Sequence, residues 1–284
     1  MGNSRAFGLI NTSENESHTN AHSRRVCIAG HSRPTSTNQT RYYLMTVIYE
    51  GPSMLDGSPI VVIVTSNSKN SKTGDMLQTW ILRQDVAPHH AIKTGDDASI
   101  CGNCPHRGEW DEALQKWTSK RTCYVRVFQA PLSVWKRYQR NGYDMSHDKL
   151  SRIAELGAGR MVRLGSYGDP MAVPLEVWHA LTSRAEGWTG YTHQWDTIPE
   201  EDKVTRLAWQ KLVMASADSH IDAMAAKLAG WRYFRVMPKD AAPAEYEVRC
   251  PASKEAGVKS ACATCKLCMG TTSKARKSIA INIH

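Results

Sequence analysis

Residues 75–83 read DMLQTWILR, a strand-length apolar run, and the polar stretch after it, 84–121, carries Cys101 and Cys104 with Cys123 just beyond. A strand that opens into a loop and is followed by helical patterns is the start of a βα arrangement. The loop is too long for a compact connector, so something must order it. Outward from it, residues 131–140 (PLSVWKRYQR) and 147–156 (HDKLSRIAEL) predict helices, the first with proline near its first turn and the second stopping at Gly157. Residues 161–166 (MVRLGS) predict a strand broken by Gly168-Asp169-Pro170.

The alternation continues to the C-terminus. A helix is expected over 174–186, a strand over 188–193 (WTGYTH), a short helix over 202–210 and a strand over 211–216 (KLVMAS). Asp218 is placed to cap a helix over 220–229 that ends at Gly230. Strands are expected at 231–236 and 246–249, and SIAINI at 278–283 suits an outer or closing strand. The aliphatic run 60–64 reads as a buried strand. The ordering implies an α/β fold, a partial TIM-like barrel of about six parallel strands. In such a barrel the loops after the strand C-termini share one face, here the Cys101 loop, Asp169, His193, Asp218 and Cys250.

Three regions follow. Residues 1–44 are rich in Ser, Asn, Thr, His and Arg with no apolar period and are expected to be a disordered tail, an extension of a functional unit that opens at Met45. Residues 45–249 form the partial barrel. Residues 250–284 form a cysteine-rich metal-binding segment with the closing strand.

Across 284 residues, 41% hydrophobic content and nine tryptophans exclude global disorder, and no apolar run is long enough to span a membrane. No secretory leader is recognisable, so a cytoplasmic location is expected, and cysteines there read as metal ligands or catalytic thiols before disulfides. The net charge of +9, scattered along the chain, reads first as an ordinary solvated basic surface, with a nucleic acid or nucleotide partner as the functional alternative. Phosphate-loop, dinucleotide-binding, serine-elbow and His-Glu-x-x-His motifs are absent from the sequence.

Seven of the eight cysteines fall into two groups. Cys250, Cys262, Cys265 and Cys268 supply four soft donors that one loop can fold around an iron–sulfur cluster or a structural zinc. Cys101, Cys104 and Cys123 supply three, which either leaves a coordination position open or takes His106 as the fourth ligand of a zinc site. Gly168-Asp169-Pro170 reads as a plain turn or as a carboxylate and backbone cradle for a ligand ammonium, and His193 and Asp218 stand at strand ends as further candidates. The pair His89-His90 reads as part of a loop.

The order of a first strand, a cysteine loop, a Gly-Asp-Pro at the second strand end and late cysteines resembles the radical SAM superfamily. The phrases KTGDMLQTWIL (72–82), ICGNCPHR (100–107), TCYV (122–125), RLGSYGDP (163–170), CPAS (250–253) and CATCKLC (262–268) are similar to an uncharacterised tailed-phage group related to gene product 88. The first resemblance implies that Cys101, Cys104 and Cys123 hold a 4Fe–4S cluster whose open iron binds S-adenosylmethionine. It also implies that Gly168, Asp169 and Pro170 match the superfamily's Gly-Gly-Glu-Pro element and that Cys250, Cys262, Cys265 and Cys268 hold an auxiliary cluster. Two features depart from the pattern: Cys123 follows Cys104 after eighteen residues instead of two, and Asp169 replaces glutamate. The expectation is a phage-type iron–sulfur protein with radical SAM-like chemistry on an unknown substrate, in the host cytoplasm if phage-encoded; the rival is a non-enzymatic, zinc-stabilised protein associated with nucleic acid.

Overall fold

The chain enters its first sheet as an antiparallel meander, β1 (Met45–Pro52), β2 (Pro59–Thr65) and β3 (Met76–Arg83), in a computed structural model that describes residues 45–66, 73–145, 150–272 and 276–283. The aliphatic run on β2 drives this start, since Ile60 through Val64 are fully buried and cannot be left in water. The run 75–83 therefore forms the third strand, and its N-terminal neighbours pair antiparallel, within a sheet expected to be largely parallel. The tail expected over 1–44 lies outside the described residues.

From β3 onward the pairing within the two larger sheets is parallel. Helices α1 (Pro88–Thr94) and α2 (Ala98–Cys101), the short hairpin β4 (Glu109–Asp111) and β5 (Lys116–Ser119), helix α3 (Ala130–Gln139), β6 (Asp144–Met145) and helix α4 (Leu150–Gly157) intervene before β7 (Met161–Tyr167) pairs with β3. Helix α5 (Leu175–Thr182) leads to β8 (Gly187–Thr189) beside β7, and only Gly190 separates β8 from β9 (Tyr191–Thr192). Helix α6 (Lys203–Leu212) leads to β10 (Met214–Ala217), and helix α7 (His220–Leu228) to β11 (Tyr233–Met237). After β12 (Glu247–Arg249) and the single-turn helix α8 (Cys262–Cys265), the chain ends in β13 (Ser278–Asn282).

The result is a mixed α/β fold with a six-stranded sheet, β6-β1-β2-β3-β7-β8, and a five-stranded sheet, β12-β13-β11-β10-β9. The β8–β9 segment edges both, so β3, β7, β8/β9, β10 and β11 follow one another as parallel neighbours in chain order, and their C-termini share one side. All the described residues fall in one compact unit. Trp178, Leu181, Ile153 and Leu164 fill the contact between α4, α5 and the first sheet.

Several boundaries shift for tertiary reasons. The helix expected to reach residue 186 ends at Thr182, because Ala185 forms a bridge with Ala158 and Glu186 N–H donates to Arg160 O at 2.9 Å. The strand expected from 211 begins only at Met214, since Val213 N–H still closes a helical turn onto Trp209 O. The terminal strand is interior, flanked by β11 and β12. Its alternation serves two faces: Ile279 and Ile281 line a cavity, while Ser278 and Ala280 lie opposite; Asn282 also borders the cavity and donates to the Pro238, Lys239 and Ala241 carbonyls. His89 and His90 lie on α1 and not in a loop.

Candidate metal centre

The cysteine loop after β3 is ordered by one buried carboxylate. Asp97, at the start of α2, receives Arg107 Nε and Nη2 at 3.0 and 2.7 Å, and Arg121 Nη1 at 3.5 Å. Arg107 also donates to the carbonyls of Gly102 and Gly95. These bonds bracket Cys101 and Cys104 on one side and Cys123 on the other. His106 O accepts the N–H groups of Thr122 and Cys123 at 3.2 and 3.0 Å, which returns the chain to the level of Cys104. The β4–β5 hairpin occupies the residues between. Eighteen residues of sequence thus separate cysteines that the fold sets side by side, and burial together with the charges of Asp97, Cys104 and Cys123 pushes the Cys101 thiol far up.

Gln194, just past β9, was not singled out by sequence. Its buried amide donates to Cys101 O at 3.1 Å and lies where a Cβ on Gly102 would stand, 2.4 Å from the nearest atom. Gly102 has φ +56°, so both conformation and space require glycine there.

At the end of β7, Gly168 has φ +87°, and a Cβ there would meet Ile81 Cβ at 2.6 Å. Asp169 caps a short turn: Oδ1 accepts Met171 N–H at 2.9 Å and Oδ2 accepts His193 N–H at 2.8 Å. Its own N–H donates to Ile100 O at 2.6 Å. Burial raises the Asp169 carboxyl pKa against the pull of these bonds. The carboxylate ties the ends of β7 and β9 together while the backbone ties both to the cysteine loop, and Pro170 opens the turn.

The second set is built around β13. Cys250 follows β12, its N–H donating to Ala280 O, and Cys262 and Cys265 bound α8. Arg232 closes the loop by donating to the carbonyls of Leu267, Gly270 and Lys277. Burial pushes the Cys268 thiol up to about 12, opposed by the Tyr191 hydroxyl that donates to it.

All seven cysteines line one cavity of about 690 Å³, together with Gly168, Asp169, His193 and Asp218. Arg163 on β7 stands between the sets, donating to Tyr124 Oη at 2.7 Å and facing Tyr191 and Cys262. The readable signal in the sequence was a lone arginine within an otherwise apolar strand. Pro170, at the base of its turn, is buried among the apolar residues around Trp178 and is not among the lining residues.

Asp218 does not cap α7; Ser219 does, accepting Asp222 N–H at 3.0 Å. Asp218 is thereby free to face the cavity, with His106 Nε2 2.9 Å from Oδ1 and His193 Nε2 3.2 Å from Oδ2. These contacts lower the Asp218 carboxyl pKa although burial opposes them, and they raise His193 to about 10 against its burial, with help from Cys104. His106, expected as a possible fourth zinc ligand to the first cysteines, instead spends Nε2 on Asp218 and Nδ1 on the Thr122 hydroxyl at 2.7 Å.

The donor spacing tests what the cysteines fit. Four thiolates on one tetrahedral zinc, at about 2.3 Å each, stand roughly 3.8 Å apart. Among the described residues, no three cysteine sulfurs lie within 4.8 Å of one another; the trio that meets that limit is His106, His193 and Asp218. Two buried donors near the first set, Tyr167 Oη and Arg121 Nη2, have no hydrogen-bond partner among the described residues, and the charges of Cys101 and Cys123 act on the Tyr167 phenol. Buried orphan donors are costly unless something accepts from them. No helix among the described residues is long and apolar enough to cross a membrane. Compared with protein-family models, curated proteins and solved structures, the chain matches none.

Proposed function

We propose that the protein is an iron–sulfur protein with radical SAM-like organisation, akin to the tailed-phage gene product 88 group, acting on a substrate held in the shared cavity. The observation that carries this reading is that seven cysteines from two distant stretches of the chain line one cavity, where burial keeps their thiols protonated unless a cationic centre holds them as thiolates. Cys101, Cys104 and Cys123 would hold a 4Fe–4S cluster with one position open, and Cys250, Cys262, Cys265 and Cys268 a closed one. The order of parallel strands, with the cysteine loop after β3 and Gly-Asp-Pro after β7, supports the partial-barrel reading.

When bound, the open cluster would supply one electron for reductive cleavage of S-adenosylmethionine. The chain's own residues bind, orient and exclude water. Tyr167 and Arg121 would donate hydrogen bonds to the group held by the first cysteine set, and Gln194 and Asp169 hold the cysteine loop against the strand ends. Arg163 with Tyr124 and Tyr191 offers a cationic, aromatic wall suited to an anionic or nucleotide-like substrate.

Anaerobic purification with iron, sulfide and zinc analysis tests this. A brown protein with about four irons per site, together with 5′-deoxyadenosine formation under a reductant, is expected. Stoichiometric zinc in a colourless protein would overturn it in favour of a zinc-braced, nucleic-acid-associated protein.

A further inference from the structure

The geometry points to a second kind of metal site in the same cavity: a divalent first-row cation held by His106, His193 and Asp218. Two imidazole nitrogens and a carboxylate oxygen lie within 4.8 Å of one another, which lets all three reach one ion. The donors come from three places in the chain, the cysteine loop, the end of β9 and the end of β10. Their convergence is a product of the parallel topology and not of a local turn.

The surroundings match what such sites use. His106 has its Nδ1 2.7 Å from the Thr122 hydroxyl, which can orient the ring and leave Nε2 for an ion. His193 is fixed by its backbone N–H to Asp169 Oδ2. The side chains keep between a fifth and about a third of their exposure, 21% for His193, 27% for Asp218 and 35% for His106, so the site has an entry path. Two imidazoles and one carboxylate leave coordination positions open toward the cavity, where an oxygen of the substrate can bind. The donors are nitrogen and oxygen, and the ion class therefore differs from that favoured by the cysteine sets.

This inference does not depend on an iron–sulfur cluster, and Mn²⁺ separates the two, because it favours nitrogen and oxygen donors over thiolates. Titrating the full chain with Mn²⁺ and following the loss of the free-ion EPR signal should show one site, displaced by Zn²⁺. Asp218→Asn and His106→Gln should abolish binding, and Thr122→Val should weaken it about tenfold. His90→Gln, at an exposed histidine on α1 outside the cavity, should leave it intact. Iron and sulfide content are read on the same preparations. Iron without Mn²⁺ binding by the wild type, or Mn²⁺ binding unchanged in Asp218→Asn and His106→Gln, overturns the site and leaves an ion-pair network. Mn²⁺ binding without iron sustains it while the cluster reading fails. Should Asp218→Asn lose iron as well, His106→Gln, at the more exposed rim, decides the matter: retained iron with lost Mn²⁺ supports the site, and retained Mn²⁺ overturns it.

Discussion

Arg107 shows how one side chain can organise a site it does not enter. Its guanidinium neutralises Asp97, whose side chain is 2% exposed, and closes the cysteine loop through two carbonyls. Replacing it by methionine keeps the volume but leaves a buried carboxylate with only the longer contact to Arg121. The expected loss is about 3–5 kcal/mol, read as a lower urea midpoint at unchanged slope. Iron content should fall with it, because the same bonds set the distance from Cys101 and Cys104 to Cys123. Neither Asp97 nor Arg107 was legible as important in the sequence: an Asp and an Arg ten residues apart in a polar loop look like solvated charges until the fold buries them.

Elements explain the eighteen residues between Cys104 and Cys123. The β4–β5 hairpin leaves and returns between anchors on either side of it, Arg107 and His106 before, Arg121 and Cys123 after. Its Trp110 and Trp117 rings meet edge to face at 5.4 Å, with Lys93 over Trp110. Replacing residues 110–117 by a short turn should keep the iron-to-protein ratio and cost about 1 kcal/mol of stability, measured by metal analysis and denaturation.

The C-terminal strand shows a second element-scale effect. Arg235 on β11 reaches across β13 to Glu247 on β12, Nε to Oε1 at 2.7 Å and Nη2 to Oε2 at 2.6 Å, passing over the small residues Ser278 and Ala280. Burial raises the Glu247 carboxyl pKa, but Arg235 and Ala244 N–H outweigh it, so the folded value lies below the ordinary one. A depressed carboxyl stabilises the fold above its unfolded pKa of about 4.3, and that stability drains as pH falls toward the folded value. Urea midpoints measured from pH 7 down to pH 3 should therefore decline, and Glu247→Gln should start about 3 kcal/mol lower and decline less steeply.

At the scale of the whole molecule, every described residue lining the cavity lies after Met45. A chain beginning at Met45 should fold and carry the same metal content as the full one, checked by circular dichroism and metal analysis. Loading should also stabilise it: a centre that binds the folded chain and not the unfolded one adds stability by mass action, so the metal-free protein should melt at a lower temperature than the loaded protein.

The local pattern of the sequence carried the α/β ordering and most strands to within a few residues, because strand alternation and helix periodicity are encoded over a few neighbouring residues. It could not carry the antiparallel entry of β1 and β2, the interior position of β13, or the release of Asp218 from its expected cap by Ser219. Those depend on which distant segment competes for each backbone and side-chain donor. The convergence of both cysteine sets, Arg163 and the His106–His193–Asp218 trio on one cavity is likewise tertiary: parallel strands bring their C-terminal ends to one side, and only their packing fixes the distances between donors that lie over a hundred residues apart in the chain.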